Sequence, residues 1–204
     1  MTLTIRPATP SDIPAITSIY AHAVAHGTAS FELHPPDEAE MARRMANLTG
    51  KGYPFLAAEL DGKLAGYAYA GPFRMRPAYR WTVEDSVYIA PERHRRGVGR
   101  ALLAALIEAS AARGYRQMVA VIGDSPKQGP SIGLHKALGF HHVGILQDIG
   151  FKHGRWLDSV LMQRELGKGG RTKPSWRPPP ASDRSRAVRG RVRGLGARSI
   201  RSAK

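Results

Sequence analysis

Residues 82–103 read TVEDSVYIAPERHRRGVGRALL, and this stretch decides the fold. Its first part, Thr82 to Ile89, has the apolar spacing of a half-buried β-strand. The residues from Gly99 to Ala112 are rich in alanine and leucine, as in a helix, and Gly114 follows as a stop signal. Between the two lies a segment with two glycines and several arginines. The sequence therefore predicts a tight turn between a strand and a helix.

The predicted turn has the composition of an anion-binding site. Gly97 and Gly99 allow the backbone to turn sharply and to approach a ligand closely. The helix after them offers unpaired N–H groups and the positive end of its dipole. The stretch is not a Walker loop, because Gly-Lys-Ser/Thr is missing, and its glycine spacing differs from the Rossmann fingerprint. A pyrophosphate site is the favoured interpretation, and an ordinary turn is the alternative.

The rest of the first 167 residues alternates strand and helix patterns. Asp61-Gly62 between two apolar runs predicts a hairpin turn. Ile13 opens a run of apolar residues at helical spacing. Further strands are expected at residues 3–6, 55–60, 63–71, 117–122, 142–152 and 155–165, and further helices at 36–48 and 131–138. This order predicts a mixed α/β domain with hairpins and helical crossovers in one sheet.

The C-terminal segment differs in composition from the rest. The net charge is +15, and the twelve Lys and Arg residues and one Asp after Gly167 account for +11 of it. We therefore expect a domain at residues 1–167 and a basic tail, rich in Gly, Pro, Ser and Arg, at residues 168–204 that is disordered. Such a tail is able to bind nucleic acid by counterion release. A solvated extension is favoured, because Trp176 is its one aromatic residue.

Composition excludes or disfavours several classes of protein. The chain has no cysteine, so disulfides, thiolate metal sites and a cysteine nucleophile are excluded. Arg6 and Pro7 lie where the apolar part of a secretory signal would run. The longest apolar region, Ala101 to Ala112, is shorter than the ~20 residues that span a bilayer. We therefore expect a cytoplasmic protein that does not bind membranes.

The glycine turn resembles the acetyl-coenzyme A motif of the GNAT superfamily of N-acetyltransferases. That motif is Gln/Arg-x-x-Gly-x-Gly/Ala at a junction of strand and helix. His94 here takes the place of the usual Gln or Arg, and Gly97 and Gly99 match the two small residues. The contacts of this loop come largely from backbone amides, so the departure at His94 is mild.

A longer signature resembles the phosphinothricin acetyltransferases, the subfamily of the methionine sulfoximine and sulfone acetyltransferases. Residues 68–88 read AYAGPFRMRPAYRWTVEDSVY, similar to the GPW/F, paired basic residues, AY, WTVE and VYV of that subfamily. Three more pieces agree, namely TASFE at 28–32, LHKALGF at 134–140 and GFKHGRWLD at 150–158. The resemblance covers roughly residues 3–166 in the right order, and the tail lies outside it.

The resemblance implies the GNAT acyl-CoA N-acyltransferase fold, an α/β fold with a mixed, mostly antiparallel central sheet flanked by helices. It also implies acetyl-CoA as co-substrate, no metal, a homodimer, and a role in herbicide or antibiotic resistance. The family usually has Asn where Gln128 stands, three residues before the serine that opens the short helix, here Ser131. The residues expected to bind acetyl-CoA are Val87, Tyr88, Ile89, His94, Arg95, Arg96, Gly97, Val98, Gly99, Arg100, Gln128 and Ser131.

Acetylation of an amine needs a base, because most aliphatic amines are protonated at pH 7. Glu84 matches the catalytic Glu of the family, while Asp85 is expected on the opposite face of the strand. A backbone N–H near Val87 is expected to stabilise the oxyanion. His135 is the first candidate for protonating the leaving thiolate, and Tyr88 is the second. Solvated or structural roles for these side chains are the alternatives.

The substrate loop of the subfamily matches the residues around Arg74 and Arg76, and a pair of arginines suits a carboxylate or phosphinate. The implied reaction is acetyl transfer to the α-amine of a small amino acid such as phosphinothricin or methionine sulfoximine or sulfone. The alternatives are another amine (a polyamine, a drug or a protein N-terminus), an acetyl-CoA sensor with little turnover, and non-enzymatic nucleic-acid binding through the tail. The expected substrate-binding residues are Phe31, Phe73, Arg74, Arg76, Tyr79 and Glu84.

Overall fold

The computed structural model describes residues 2–124 and 128–174 of the chain. Its helices are α1 (Ile13–His26), α2 (Glu38–Gly50), α3 (Val98–Ala112) and α4 (Gly129–Ala137). Its strands are β1 (Leu3–Pro7), β2 (Phe55–Leu60), β3 (Lys63–Pro72), β4 (Thr82–Ile89), β5 (Gln117–Gly123), β6 (His141–Lys152) and β7 (Arg155–Glu165). Among these residues, no helix is long and apolar enough to cross a membrane. Most of the predicted tail, at 175–204, lies outside the described residues.

The seven strands of the described residues form one sheet in the order β1-β2-β3-β4-β5-β7-β6. β4 and β5 run parallel, and every other neighbouring pair runs antiparallel. A parallel pair needs a crossover connection, and α3 supplies it while packing on the sheet. The expected mixed, mostly antiparallel sheet flanked by helices is therefore confirmed.

The face of the sheet under α3 has an aliphatic core. Leu102, Leu103 and Leu106 of α3 are fully buried there. They pack with small and branched strand residues such as Ala68 and Val83. Burial of each large aliphatic side chain contributes about 1.5–3 kcal/mol, so this layer is a main source of stability.

The opposite face, under α1 and α2, is rich in aromatic rings. Tyr67 is fully buried and stacks on Phe55 and on Tyr88, with ring centroids 5.8 and 5.3 Å apart. Tyr20 of α1 meets Tyr88 edge to face at 4.9 Å. Successive residues of a strand point to opposite faces. The even-numbered residues of β4 therefore face α1 and α2, and the odd-numbered residues, such as Val83, face α3.

β4 and β5 separate partway along their length. Their pairing runs from Thr82 opposite Gln117 to Glu84 opposite Val119 and ends there, although β4 continues to Ile89. Beyond this point the facing edges of the two strands form no ladder with each other. Backbone N–H and C=O groups need hydrogen-bond partners, so these open edges are available to a ligand.

Local signals place the element boundaries close to the sequence expectation. Asp61 and Gly62 both have positive φ, 52° and 76°, as the central residues of the predicted hairpin turn require. α2 begins at Glu38, two residues later than expected, because the side chain of Asp37 caps it by accepting the N–H of Glu40 at 2.7 Å.

The start of the predicted tail packs against the domain. Gly169–Arg171 form a short 3-10 helix, in which Gly169 is buried. Arg171 forms an ion pair of 3.1 Å with Glu165 at the end of β7. The described chain thus continues past the expected boundary at residue 167 in contact with the sheet.

Gly66 in β3 occupies a position with no room for a side chain. A Cβ atom there would lie 2.7 Å from the carbonyl oxygen of Tyr88 and 2.8 Å from Cδ1 of Ile89. Gly66→Ala is therefore expected to lower the free energy of unfolding by about 1–3 kcal/mol, the usual cost of overpacking. Gly133→Ala in α4 is the control, because no outside atom lies within 4 Å of the added methyl group. It is expected to be neutral or to stabilise by up to about 1 kcal/mol. Urea unfolding measures both, and equal stabilities would contradict the steric argument.

Candidate active site

A cleft of about 920 Å³ opens where β4 and β5 separate. Its walls come from α1, β4, the glycine turn, α3, β5 and α4. This volume lies within the range of small-molecule and cofactor sites. The cleft is therefore the candidate ligand site.

The glycine turn at one wall of the cleft has the geometry of an anion site. Gly97 is the N-cap of α3 and has a left-handed backbone with a φ of 79°, which glycine adopts without strain. Arg95 also has a positive φ, of 59°. The first N–H groups of a helix lack partners within it and carry its positive dipole end. Arg95 and Arg100 add two guanidinium groups to the cleft.

Eleven of the twelve residues expected to bind acetyl-CoA line this cleft. The exception is Arg96, which is exposed and lies outside the lining. His94 connects the turn to β4, because its Nε2–H donates to the carbonyl oxygen of Ile89 at 3.2 Å. Gly99 brings α3 close to α4, since a Cβ atom there would lie 3.4 Å from Cδ2 of Leu134.

Gln128, at the position of the usual Asn, lies at the start of α4. Its N–H donates to the carbonyl oxygen of Asp124 at 3.2 Å. The helix begins at Gly129, two residues before the expected Ser131, because Pro130 fits the first turn of a helix. Gln128 and Ser131 both keep their place in the cleft wall. Residues 125–127, just before it, lie outside the described residues.

Glu84 lies at the point where the two strands separate. It belongs to the face of β4 that carries Tyr88, and its side chain is half-buried in the cleft. Burial, together with the negative charge of Asp85, raises the pKa of Glu84 to about 7. A carboxyl group with such a pKa exchanges a proton readily near neutral pH.

Asp85 points to the opposite face, as the strand period predicts, and meets His135 of α4. Nε2 of His135 lies 3.0 Å from Oδ2 of Asp85, and its Nδ1–H donates to the carbonyl oxygen of Ser131 at 2.7 Å. The two side chains are only 5% and 3% exposed. Burial by itself lowers the pKa of His135, but the hydrogen bond and charge of Asp85 outweigh it and raise that pKa. Both ring nitrogens are thus bonded within the protein.

Tyr88, the second candidate for protonating a thiolate, packs among aromatic rings. Its ring lies between those of Tyr20 and Tyr67, although part of the residue lines the cleft. Burial raises the pKa of its hydroxyl well above the usual value. A phenol with a raised pKa is a weaker proton donor, so the packing role is the one that this geometry favours.

The segment between α1 and α2 covers the cleft on the α1 side of the sheet. Phe31 lies against two glycines, and a Cβ atom at Gly123 would be 2.6 Å from its Cε1. A Cβ atom at Gly150, the second glycine, would collide with the same ring. Nζ of buried Lys152 donates to the carbonyl oxygen of Ser30 at 2.8 Å. The two glycines make room for the ring, and Lys152 holds the backbone next to it.

Asp124 anchors the beginning of the same segment. The hydroxyl of Thr28 donates to Oδ2 of Asp124 at 2.6 Å. Arg155 of β7 forms an ion pair with the same carboxylate, which is almost completely buried. The two residues Thr28 and Ser30, just before Phe31, are therefore both held by hydrogen bonds, and this places the half-exposed ring over the cleft.

Four of the six residues expected to bind substrate lie outside the cleft lining. Arg74 stacks over the rings of Phe73 and Tyr79, with its guanidinium carbon 5.2 and 5.7 Å from their centroids. Arg76 is exposed two residues further along. All four lie on the connection from β3 to β4, where Phe73, Arg74 and Tyr79 form a surface cluster, and the other two expected residues line the cleft.

The structure adds residues that sequence reasoning did not assign to the site. His22 and His26 of α1, with ring centroids 4.6 Å apart, line the cleft, and so does Arg93. The four-residue spacing of the two histidines on a predicted helix was the available signal. Asp85 and His135 are 50 residues apart in the chain, so no local pattern reports their contact. The described residues contain no cluster of three or more His, Asp or Glu side chains able to hold a metal.

A sheet that opens between two parallel strands, beside a glycine turn at the start of a helix, is the arrangement of the acyl-coenzyme A-dependent acyltransferases. Comparison with known proteins gives the family. The acetyltransferase (GNAT) domain family matches residues 5–161, so the chain belongs to the GNAT acetyltransferases.

Individual proteins similar to this chain indicate which GNAT subfamily it resembles. The chain is 54% identical over 171 residues to phosphinothricin N-acetyltransferase of Alcaligenes faecalis, covering 84% of this chain and 86% of that protein. It is 40% identical over 167 residues to L-methionine sulfoximine/L-methionine sulfone acetyltransferase of Pseudomonas aeruginosa, covering 81% and 96%. A GNAT superfamily phosphinothricin acetyltransferase of Sinorhizobium meliloti, solved in complex with AcCoA, matches with a TM-score of 0.84 at 49% identity, covering 89% and 98%. The subfamily resemblance seen in the sequence is thereby confirmed.

Glu84 is expected to titrate near neutral pH in the free protein. The raised pKa of about 7 predicts that its carboxylate forms well above the ordinary Glu value. Infrared difference spectra between the wild type and Glu84→Gln isolate this carboxylate band across a pH series. Half-formation of the band at about pH 7 is the expected result. A midpoint near the model-peptide value of about 4.3 would contradict the effect of burial.

Proposed function

We propose that the protein transfers the acetyl group of acetyl-CoA to the α-amine of a small amino acid such as phosphinothricin or methionine sulfoximine or sulfone. One observation carries the proposal: Glu84, with a pKa of about 7, lies where β4 and β5 separate, in the same cleft as the glycine turn. The substrates come from the similar proteins, whose names give phosphinothricin and methionine sulfoximine or sulfone. The co-substrate comes from the Sinorhizobium meliloti structure with its AcCoA.

The proposed coenzyme position uses the two open features of the cleft. The pyrophosphate binds the N–H groups at the start of α3, with Arg95 and Arg100 beside it. The pantetheine arm lies between β4 and β5 and pairs with the free edge at Val87 and Ile89, like an added strand. This position brings the thioester to the region of Glu84.

Glu84 is the proposed general base. It takes a proton from the ammonium group of the substrate, directly or through a water molecule, and the neutral amine attacks the thioester carbon. A backbone N–H near Val87 stabilises the oxyanion of the tetrahedral intermediate. The C–S bond then breaks and the thiolate leaves with its electron pair. The nitrogen loses its second proton as the amide forms, the thiolate takes up one proton, and Glu84 releases the first proton to solvent. Protonation of the thiolate by His135 or Tyr88 stays a prediction.

The proposed amine site lies on the α1 side of the sheet. Glu84 and Phe31 both reach the cleft there, and Phe31 is held in place by its anchored segment. Arg74 and Arg76 are proposed to bind the acidic group of the substrate, by movement of their exposed connection or by contribution from a second subunit. Two cationic side chains disfavour a polyamine at this position.

The remaining parts of the proposal concern location and the tail. A cytoplasmic location is compatible with the absence of cysteine. A role in herbicide or antibiotic resistance would follow from acetylation of phosphinothricin. We propose the residues after Gly167 as a basic extension separate from catalysis, whose charge suits contact with nucleic acid better than the cleft does.

Turnover tests the proposed reaction and its base together. Thiol release from acetyl-CoA is expected with phosphinothricin, methionine sulfoximine and methionine sulfone, and not with spermidine or a peptide N-terminus. Glu84→Gln should lower kcat/KM by about 100- to 10,000-fold, the usual contribution of a general base. In the wild type, kcat/KM should rise with pH through about 7, because the carboxylate is the active form, and Glu84→Gln should lose this rise.

Glu108→Gln is the matched control, since this carboxylate is exposed on α3. It is expected to retain wild-type turnover and pH dependence. Thiol release with only spermidine or the peptide as acceptor would be compatible with the assigned fold but would contradict the proposed substrate class. Unchanged turnover in Glu84→Gln would refute the base.

We also propose that the protein forms a homodimer through β6. This strand is an edge of the sheet and pairs with β7. It exposes large apolar side chains: Val143, Ile149 and Phe151 are more than half exposed, and neighbouring Trp156 is 60% exposed. An exposed apolar edge strand favours pairing with another chain, and a second copy satisfies both edges in one symmetric contact.

Ile149→Lys is expected to weaken the dimer, because it places a charge on an apolar contact surface. Sedimentation velocity should show a shift from dimer to monomer at micromolar concentration. Ala39→Lys is the control, as Ala39 is exposed on α2, outside this surface. A wild-type protein that sediments as a monomer would contradict the proposed homodimer.

A further inference from the structure

We propose that Asp85 is a positioning residue for the coenzyme: through His135 it holds helix α4 against strand β4 and so fixes one wall of the cleft. The inference rests on the proposed function, because it takes the cleft as the acetyl-CoA site. In this role neither side chain touches the reacting atoms, and Asp85 acts on binding through the position of α4.

The hydrogen bonds connect β4 to the part of α4 that lines the cleft. Nε2–H of His135 donates to Oδ2 of Asp85 at 3.0 Å, and its Nδ1–H donates to the carbonyl oxygen of Ser131 at 2.7 Å. The ring of Phe140 closes the other side, edge to face at 4.9 Å. Ser131 and Leu134, one turn apart on α4, both line the cleft. Displacement of His135 would therefore move two residues of the cleft wall.

These bonds also determine where protons reside. A carbonyl oxygen only accepts, so Nδ1 of His135 carries a hydrogen, and the contact between Nε2 and Asp85 requires a second proton. The pair therefore holds one proton more than a neutral imidazole beside a carboxylate. Among the described residues, Oδ1 of Asp85 is buried without a hydrogen-bond partner. Loss of the shared proton would leave a buried negative charge poorly compensated.

Other charged groups around α4 do not replace this pairing. Glu84 precedes Asp85 but points to the opposite face of β4, and Lys136 on α4 is exposed. Asp124, beside the start of α4, bonds to Thr28 and to Arg155. The remaining titratable groups near α4 belong to three elements and the glycine turn: Tyr88 on β4, Arg100 and Glu108 on α3, His141, His142, Asp148 and Lys152 on β6, and Arg93, His94 and Arg95 at the turn.

The shared proton makes the attachment of α4 depend on pH. Burial opposes the charged ring, but Asp85 outweighs it, so the pKa of His135 is raised above the ordinary value of about 6.5. The contribution of the pair is complete below that value and is lost as the pH rises through the raised pKa of His135. Acetyl-CoA binding is therefore expected to weaken as the solution becomes alkaline.

We call the Asp85–His135 pair that holds α4 against β4 the anchor. Calorimetric titration with acetyl-CoA, without an amine, tests the anchor apart from turnover. The wild type should bind several-fold more weakly once the pH has risen through the raised pKa of His135, which lies above the phosphate titration near 6. The imidazole NMR signals of His135, assigned by comparison with His135→Gln, should titrate together with this loss of affinity. The substitution Asp85→Asn keeps the shape of the side chain but removes its negative charge. It should weaken binding at pH about 7 by about tenfold, the loss of one charge-assisted hydrogen bond, and should flatten the pH dependence.

Glu38→Gln is the matched control, because it removes an exposed carboxylate of α2, and it should bind like the wild type. Asp85→Asn should raise KM for acetyl-CoA more than it lowers kcat. A fall in kcat with unchanged affinity would overturn the positioning role in favour of proton transfer. A wild-type affinity that stays constant while His135 titrates would overturn it as well. If Asp85→Asn does not fold, the wild-type pH series decides alone.

The proposed reaction can fail without the anchor failing. If no amine of the panel is acetylated while acetyl-CoA binds with the expected pH dependence, the anchor stands and the substrate class falls. If amines are acetylated but affinity follows neither pH nor Asp85→Asn, the reaction stands and the anchor falls. A chain that does not bind acetyl-CoA contradicts both.

Discussion

The separation of β4 from β5 is the constraint on which the rest of the structure depends. The parallel ladder ends at Glu84 and Val119, so backbone groups on two facing edges lack a strand partner inside the protein. α3 begins at the glycine turn that follows β4, and its helical dipole is directed at the opening. A closed ladder would bury the same residues in a continuous sheet and leave the turn as a surface feature. The gap is what converts a strand, a turn and a helix into a cleft.

Two consecutive carboxylates at this gap have different environments because a strand alternates its side chains. Glu84 faces α1 and α2, where burial and the neighbouring charge raise its pKa to about 7. Asp85 faces α4, where His135 compensates its charge through a hydrogen bond of 3.0 Å. The first is available for proton exchange, and the second is committed to the protein interior. The proposed general base and the residue proposed to position the cleft wall are therefore neighbours in the sequence but lie on opposite faces of the sheet.

The wall on the α1 side depends on close packing rather than on charge. Gly123 and Gly150 lack the Cβ atoms that would collide with Phe31, so the ring lies directly on the sheet. Lys152 and Asp124 hold Ser30 and Thr28, the residues that lead into that ring. Gly150 and Lys152 belong to β6, the strand proposed for the dimer contact. The proposed amine site and the proposed subunit contact are therefore built on the same strand.

The sequence by itself determined what depends on a few neighbouring residues. The Asp61-Gly62 hairpin, the glycine turn at Gly97 and the order of strands and helices follow from backbone preferences and short-range periodicity. The subfamily resemblance also came from contiguous motifs. Only the tertiary structure decided which of the arginines enter the cleft, because adjacent Arg95 and Arg96 have the same chemistry and differ in the direction that the turn gives them. The contact of Asp85 with His135 joins residues 50 positions apart, and it exists because the sheet and α3 bring α4 to that face.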